Sequence, residues 1–124
     1  MYRALIVEEN LIFREAFRTA FLNHLPSILL QEAKDGREAM EKIHLMPPSL
    51  IFMDIGLPGL NGLELVQKIK KDFPSIRIAM LTGYDFPEYR RKASQYGVDR
   101  YFVKDSLDWK DVEEFVQSIS KEKK

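Results

Sequence analysis

Four side-chain types stand where short apolar runs stop. Leu50-Ile51-Phe52-Met53 stops at Asp54, and Leu5-Ile6-Val7 stops at the acidic pair Glu8-Glu9. Ile76-Arg77-Ile78-Ala79-Met80-Leu81 stops at Thr82, and Tyr101-Phe102-Val103 stops at Lys104. Glu8, Glu9 and Asp54 would carry a summed charge of about −3 near neutral pH. Crowded carboxylates repel, and a hard divalent cation relieves them. Mg²⁺ takes oxygen ligands and keeps several waters, so one or two carboxylates suffice. Lys104 adds an ammonium and Thr82 a hydroxyl. A phosphoryl group would find metal, ammonium and hydroxyl donors together, and its transfer depends mainly on such positioning and neutralisation. A carboxylate is also able to accept the group covalently as an aspartyl phosphate.

These residues meet only if the runs are parallel strands that end on one edge. The pattern supports that. Strands are expected at about 3–7, 28–30, 50–53, 76–81 and 100–103, and helices from Asn10 to just before Pro26 and at about 37–45, 62–72, 86–95 and 108–119. Asn10 is placed to cap the first helix, with Leu11, Ile12, Ala16, Phe17, Ala20 and Phe21 as its apolar positions and Pro26 beyond its end. Asn61 is placed to cap the third, and Gly97 stops the fourth. Alternating strands and helices imply an α/β fold, a doubly wound parallel sheet covered on both faces. The flavodoxin-like order 2-1-3-4-5, five strands with five helices, brings the ends of strands one, three, four and five to its switch point.

Bulk properties set the frame. At 124 residues the chain fits one domain, expected over 1–120, with 121–124 a frayed tail or the start of a linker. The 19 basic and 19 acidic residues cancel, so no global field favours nucleic acid or an anionic membrane. Absence of cysteine excludes disulfides and thiolate chemistry and agrees with a cytoplasmic location. Met1-Tyr2-Arg3 runs directly into a strand-like segment, so no signal peptide is expected. No apolar run approaches the roughly 20 residues of a membrane span. A P-loop nucleotidase is excluded because the Gly-rich Lys-Ser/Thr loop is missing. A flavin protein is disfavoured because Glu8-Glu9-Asn10 would repel a phosphate that came without a metal.

Each residue also has a plainer reading. Asp54 alone would most simply cap a turn; Glu8-Glu9 would be a solvated loop pair; Thr82-Gly83 a turn. Arg90-Arg91-Lys92 reads as a solvated helix face or a partner contact. His24 and His44 have no partner at catalytic or metal spacing and are assigned no role. The joint pattern outweighs these readings.

Acidic pair, strand-end Asp, Thr beside a small residue and Tyr-x-x-Lys, in that order, resemble the receiver domain of bacterial two-component response regulators over essentially the whole chain. The resemblance implies that Asp54 accepts phosphate from a sensor histidine kinase with Mg²⁺. It implies metal binding by Glu9 and Asp54, with Glu8 assisting through water and the backbone carbonyl of Gly56 contributing. Thr82 and Lys104 would contact the phosphoryl group. Tyr101 would be the switch residue that turns inward, altering the surface of helix four, strand five and helix five. Tyr84 would shield the phosphorus from water, and Gly56 would offer no side chain to guide it. Glu9 departs from the family's usual Asp, so its extra methylene is expected to alter the metal site. Asp105 replaces a common Pro, and Lys104-Asp105 resembles the LuxR-type transcription-factor branch. DNA would then be bound only by a separate effector domain, and a homodimer is a further expected partner state. The competing reading is a pseudo-receiver, a phosphorylation-independent interaction module.

Overall fold

The computed structural model describes residues 2–54, 62–83 and 85–122, with side chains given up to residue 119. Strands β1 (Arg3–Val7), β2 (Leu29–Ala33), β3 (Leu50–Asp54), β4 (Arg77–Thr82) and β5 (Arg100–Val103) form one sheet. All pairs are parallel, in the order β2-β1-β3-β4-β5. Helices α1 (Leu11–His24), α2 (Gly36–Leu45), α3 (Gly62–Asp72), α4 (Pro87–Tyr96) and α5 (Trp109–Glu122) alternate with them. The expected order and helix count are therefore observed.

Strand side chains alternate between faces, and the alternation divides the core in two. Ala4, Ile6, Leu50, Phe52, Ala79, Leu81 and Phe102 face α1 and α5, where they meet Phe17, Phe21, Val112 and Phe115. Leu5, Val7, Ile51, Met53, Ile78 and Met80 face α2, α3 and α4, where they meet Ile43, Val66, Ile69 and Ala93. Because both faces are covered, the strands read as unbroken apolar runs. The first core is aromatic: Phe17 lies 5.0 Å from Phe52 and 5.1 Å from Trp109, ring centre to ring centre.

Local chemistry fixes the helix ends. The Asn10 side chain accepts from the Phe13 amide at 3.0 Å, and Asp35 accepts from the Glu38 amide at 2.9 Å. Gly97 closes α4 at φ 106°, where a side chain is strained, and a Cβ there would stand 3.1 Å from Lys70 Cγ. Just beyond, Asp99 Oδ2 accepts from Lys70 Nζ and from the Ile78 amide, each at 2.8 Å. This ties α3 and β4 to the entry of β5.

Three expectations differ from the structure. Leu11 and Ile12 do not face the core; Ile12 is 82% exposed. The sheet-facing stripe is instead Phe13-Phe17-Phe21, whose rings already fill the space above β3. Strand β2 runs to Ala33 rather than stopping near Leu30, because its pairing with β1 continues through Glu32. The polar residues are supported there, Arg14 and Arg18 both reaching the Glu32 carboxylate. Finally, α5 extends to Glu122, three residues beyond the expected end at 119. Gly56, Gly59, the Asn61 cap and Tyr84 lie outside the described residues.

Phe21→Ala should therefore cost about 3–5 kcal/mol by urea unfolding, whereas Ile12→Ala should stay within about 0.5 kcal/mol. Comparable losses would show that the α1 stripe is misplaced.

Candidate functional site

Register alone brings the chemistry together. Val7 pairs with Met53, so Glu8 continues beside Asp54. Asp54 pairs with Leu81, one residue before Thr82, and Thr82 pairs with Val103, one before Lys104. All four lie on the carboxyl edge of the sheet, where α/β folds place their ligands. Alternation then separates them. Glu8, Asp54 and Lys104 share the parity of Ile6, Phe52 and Phe102, on the α1–α5 side. Thr82 and Tyr101 share the parity of Met80, on the α4 side.

The first group centres on one ammonium. Lys104 Nζ lies 2.5 Å from Glu8 Oε1 and 3.5 Å from Asp54 Oδ2. It also stands 4.6 Å from the centre of the Phe13 ring, whose π face attracts a cation. Glu8 is 1% exposed. Its Oε2 accepts from the Asn10 amide at 3.0 Å, and Arg14 donates to its backbone carbonyl at 2.8 Å. Burial pushes the Glu8 carboxyl above the ordinary carboxylate range, with the Asp54 charge adding to the rise. Lys104 and the Asn10 amide oppose it.

The second group is a hydroxyl pair. Thr82 is fully buried, and the half-buried Tyr101 hydroxyl hydrogen-bonds to it. Burial raises the Tyr101 phenol, against the opposing effects of Thr82 and Arg90, so it stays protonated and able to donate. Arg90 lies over the Tyr101 ring at 4.6 Å.

Glu9 does not join the acids; it is exposed. Among the described residues no group of three acid or histidine side chains is spaced to hold a metal. The expected meeting of Glu8, Glu9 and Asp54 is thus replaced by two carboxylates on one ammonium. Chain alternation explains it, since neighbours Glu8 and Glu9 point apart once Glu8 turns inward. Two carboxylates converging on one cation are still the hard oxygen set that Mg²⁺ accepts with water completing its shell.

His24 stacks flat on Trp109 at 5.2 Å and approaches Glu113, and His44 approaches the Met40 carbonyl. Both belong to helix packing. Phe13, Arg14 and Arg90 were not read from the sequence as site residues. The aromatic spacing of residues 13, 17 and 21 does signal Phe13. Nothing local signals Arg90, whose contact depends on how α4 lies against β5.

Residues 4–117 match the model of the Response regulator receiver domain. The Response regulator protein VraR of Staphylococcus aureus is 29% identical over 119 residues, covering 96% of this chain and 56% of that protein. A DNA-binding response regulator of the LuxR family from the same species has a crystal structure that superposes with a TM-score of 0.85 at 25% identity, covering 96% of this chain and 98% of that chain. The response regulator TrrA of Thermotoga maritima, crystallised in complex with Mg(2+)-BeF, gives a TM-score of 0.83 at 29% identity, covering 96% of this chain and 99% of that chain. The chain spans 28% to 56% of the length of the curated relatives it matches.

Lys104→Met leaves the buried Glu8 carboxylate without its ammonium. A loss of about 3 kcal/mol at pH 7 is expected by urea unfolding. A buried acid with a raised pKa binds its proton more readily folded than unfolded, so the loss should shrink as pH falls toward 5. The double change Glu8→Gln with Lys104→Met should recover most of it. A loss independent of pH would show that Glu8 does not carry the effect.

Proposed function

The chain belongs to the response regulator receiver domain family, in its LuxR-type branch, and from that premise we propose that Asp54 accepts a phosphoryl group from a sensor histidine kinase. The observation that carries this reading is the Lys104 ammonium, held within 3.5 Å of Asp54 at the sheet edge and already paired with Glu8. An Asp54 oxygen attacks the phosphorus of the phosphohistidine, the P–N bond breaks, and the imidazole leaves with the bond's electron pair. Lys104 draws the new phosphoryl oxygens by charge and Thr82 by its hydroxyl.

Glu9 and Asp54 would hold Mg²⁺, Glu9 turning in from its exposed position, with Glu8 assisting through water and the Gly56 carbonyl contributing. When bound, the ion supplies neutralisation of charge on the phosphoryl oxygens. Glu8 also fixes where Lys104 rests before transfer, and Phe13 keeps that ammonium from swinging into solvent. The domain is a signalling switch rather than a turnover enzyme; it promotes only its own phosphorylation and slow dephosphorylation.

Thr82 and Tyr101 form the output arm. Drawing Thr82 toward a phosphoryl group moves the hydroxyl to which Tyr101 is bonded, and Tyr101 carries the change to α4, β5 and α5. Phosphorylation biases two states only by its differential stabilisation of them. The output is assigned to a separate DNA-binding effector domain, in keeping with the similarity to a DNA-binding response regulator of the LuxR family. Homodimerisation of the switched surface and a cytoplasmic location complete the proposal. No helix among the described residues is long and apolar enough to cross a membrane. A second reading, a phosphorylation-independent interaction module, is favoured by one observation: Lys104 already offsets part of the charge of the Glu8–Asp54 pair.

Incubation with a small phosphodonor and Mg²⁺ separates the two. Wild type should take up acid-labile phosphate and Asp54→Asn none; uptake surviving that change sinks the phosphoacceptor assignment. No uptake by wild type selects the interaction module. In a Mg²⁺ titration followed by Trp109 fluorescence, Glu9→Asp should bind more tightly than wild type. Equal affinities would remove Glu9 from the metal shell.

A further inference from the structure

Arg90 lies outside the phosphoryl chemistry, yet its guanidinium touches the arm that reports it. The Arg90 guanidinium carbon lies 4.6 Å from the centre of the Tyr101 ring. On its other side Arg90 Nε donates to Asp85 Oδ1 at 2.7 Å. Asp85 belongs to the segment joining β4 to α4, Arg90 to α4, and Tyr101 to β5. Three consecutive elements thus meet at one guanidinium, and the phenol beneath it bonds to Thr82. A groove of about 240 Å³ between α4 and β5 is walled by Arg90, Ala93 and Tyr101.

We propose that Arg90 is a positioning residue for the Tyr101 switch, its guanidinium pinning the ring where the hydroxyl reaches Thr82. This rests on the switch reading above. The Asp85 pair is solvent-exposed and adds little energy by itself. Its part is geometric: it holds the planar guanidinium flat over the ring, which a flexible ammonium does less well. The clamp therefore favours the coupled Thr82–Tyr101 arrangement before any phosphoryl group arrives. A phosphoryl analogue that favours the same arrangement must bind more weakly when the clamp is lost, because the coupling is reciprocal.

The test compares Arg90→Met, which keeps the stem and drops the charge, with Arg90→Lys, which keeps the charge. Thr methyl and Tyr ring carbons are labelled for NMR of the unphosphorylated chain. Arg90→Met should shift the Thr82 and Tyr101 signals, and Arg90→Lys should move them back toward wild type. Unmoved signals in Arg90→Met, or identical shifts in both variants, would overturn the clamp. With Mg²⁺ and beryllofluoride, Arg90→Met should lose affinity about twofold to fivefold, and no further affinity in a Tyr101→Leu background. Equal losses in both backgrounds would also overturn it. A wild type that binds no beryllofluoride would count against the phosphoacceptor reading instead, while the labelled signals still decide the clamp.

Discussion

A carboxylate taken out of water must find compensation inside the protein, and Glu8 imposes that demand on the whole sheet edge. Its charge is costly where it sits. Two separate parts of the chain meet the cost: the Asn10 amide at the start of α1 and the Lys104 ammonium after β5, while Arg14 of α1 fastens the Glu8 carbonyl. Lys104 is far from Glu8 in sequence and three strands away across the sheet, with β3 and β4 between. It reaches Glu8 only because β1, β3, β4 and β5 end in step. The ion pair and the strand order therefore depend on each other, and Asp54, on β3, one of the two strands between, is caught beside the same ammonium.

The division of labour at that edge follows from alternation alone. The acids and the lysine carry the parity of the aromatic core under α1 and α5. Thr82 and Tyr101 carry the parity of the aliphatic core under α3 and α4. One face thus holds charges and the other hydroxyls. Thr82, on the strand between those of Asp54 and Tyr101, is placed to link the two faces.

Much of this was legible in the sequence, for identifiable reasons. Apolar runs ending in Asp54, Thr82 and Lys104 located the strand ends, and alternation with amphipathic stretches implied parallel order. Caps at Asn10 and Gly97 are local chemistry and were readable as such. What escaped depends on distance in the chain. Which of Glu8 and Glu9 turns inward is decided by Lys104, about a hundred residues later. Ile12 looked like a core position until Phe13, Phe17 and Phe21 claimed the contact with β3. β2 read as too short because the arginines that support Glu32 belong to another element. Arg90 sat in a basic run that is ordinarily solvated, and only the packing of α4 on β5 sets it over Tyr101.

The anchoring of α4 has a mechanical consequence. Ala93 is its one buried side chain. Its carboxyl end is held firmly, by the left-handed turn at Gly97 and by Asp99 gripping Lys70 and β4. Its amino end carries exposed Phe86 and Tyr89, and its Arg90 lies over the Tyr101 ring. Such a helix is a lever with its fulcrum at one end. A small displacement of Tyr101 would act partway along the arm, and the aromatic tip would travel farther than the ring.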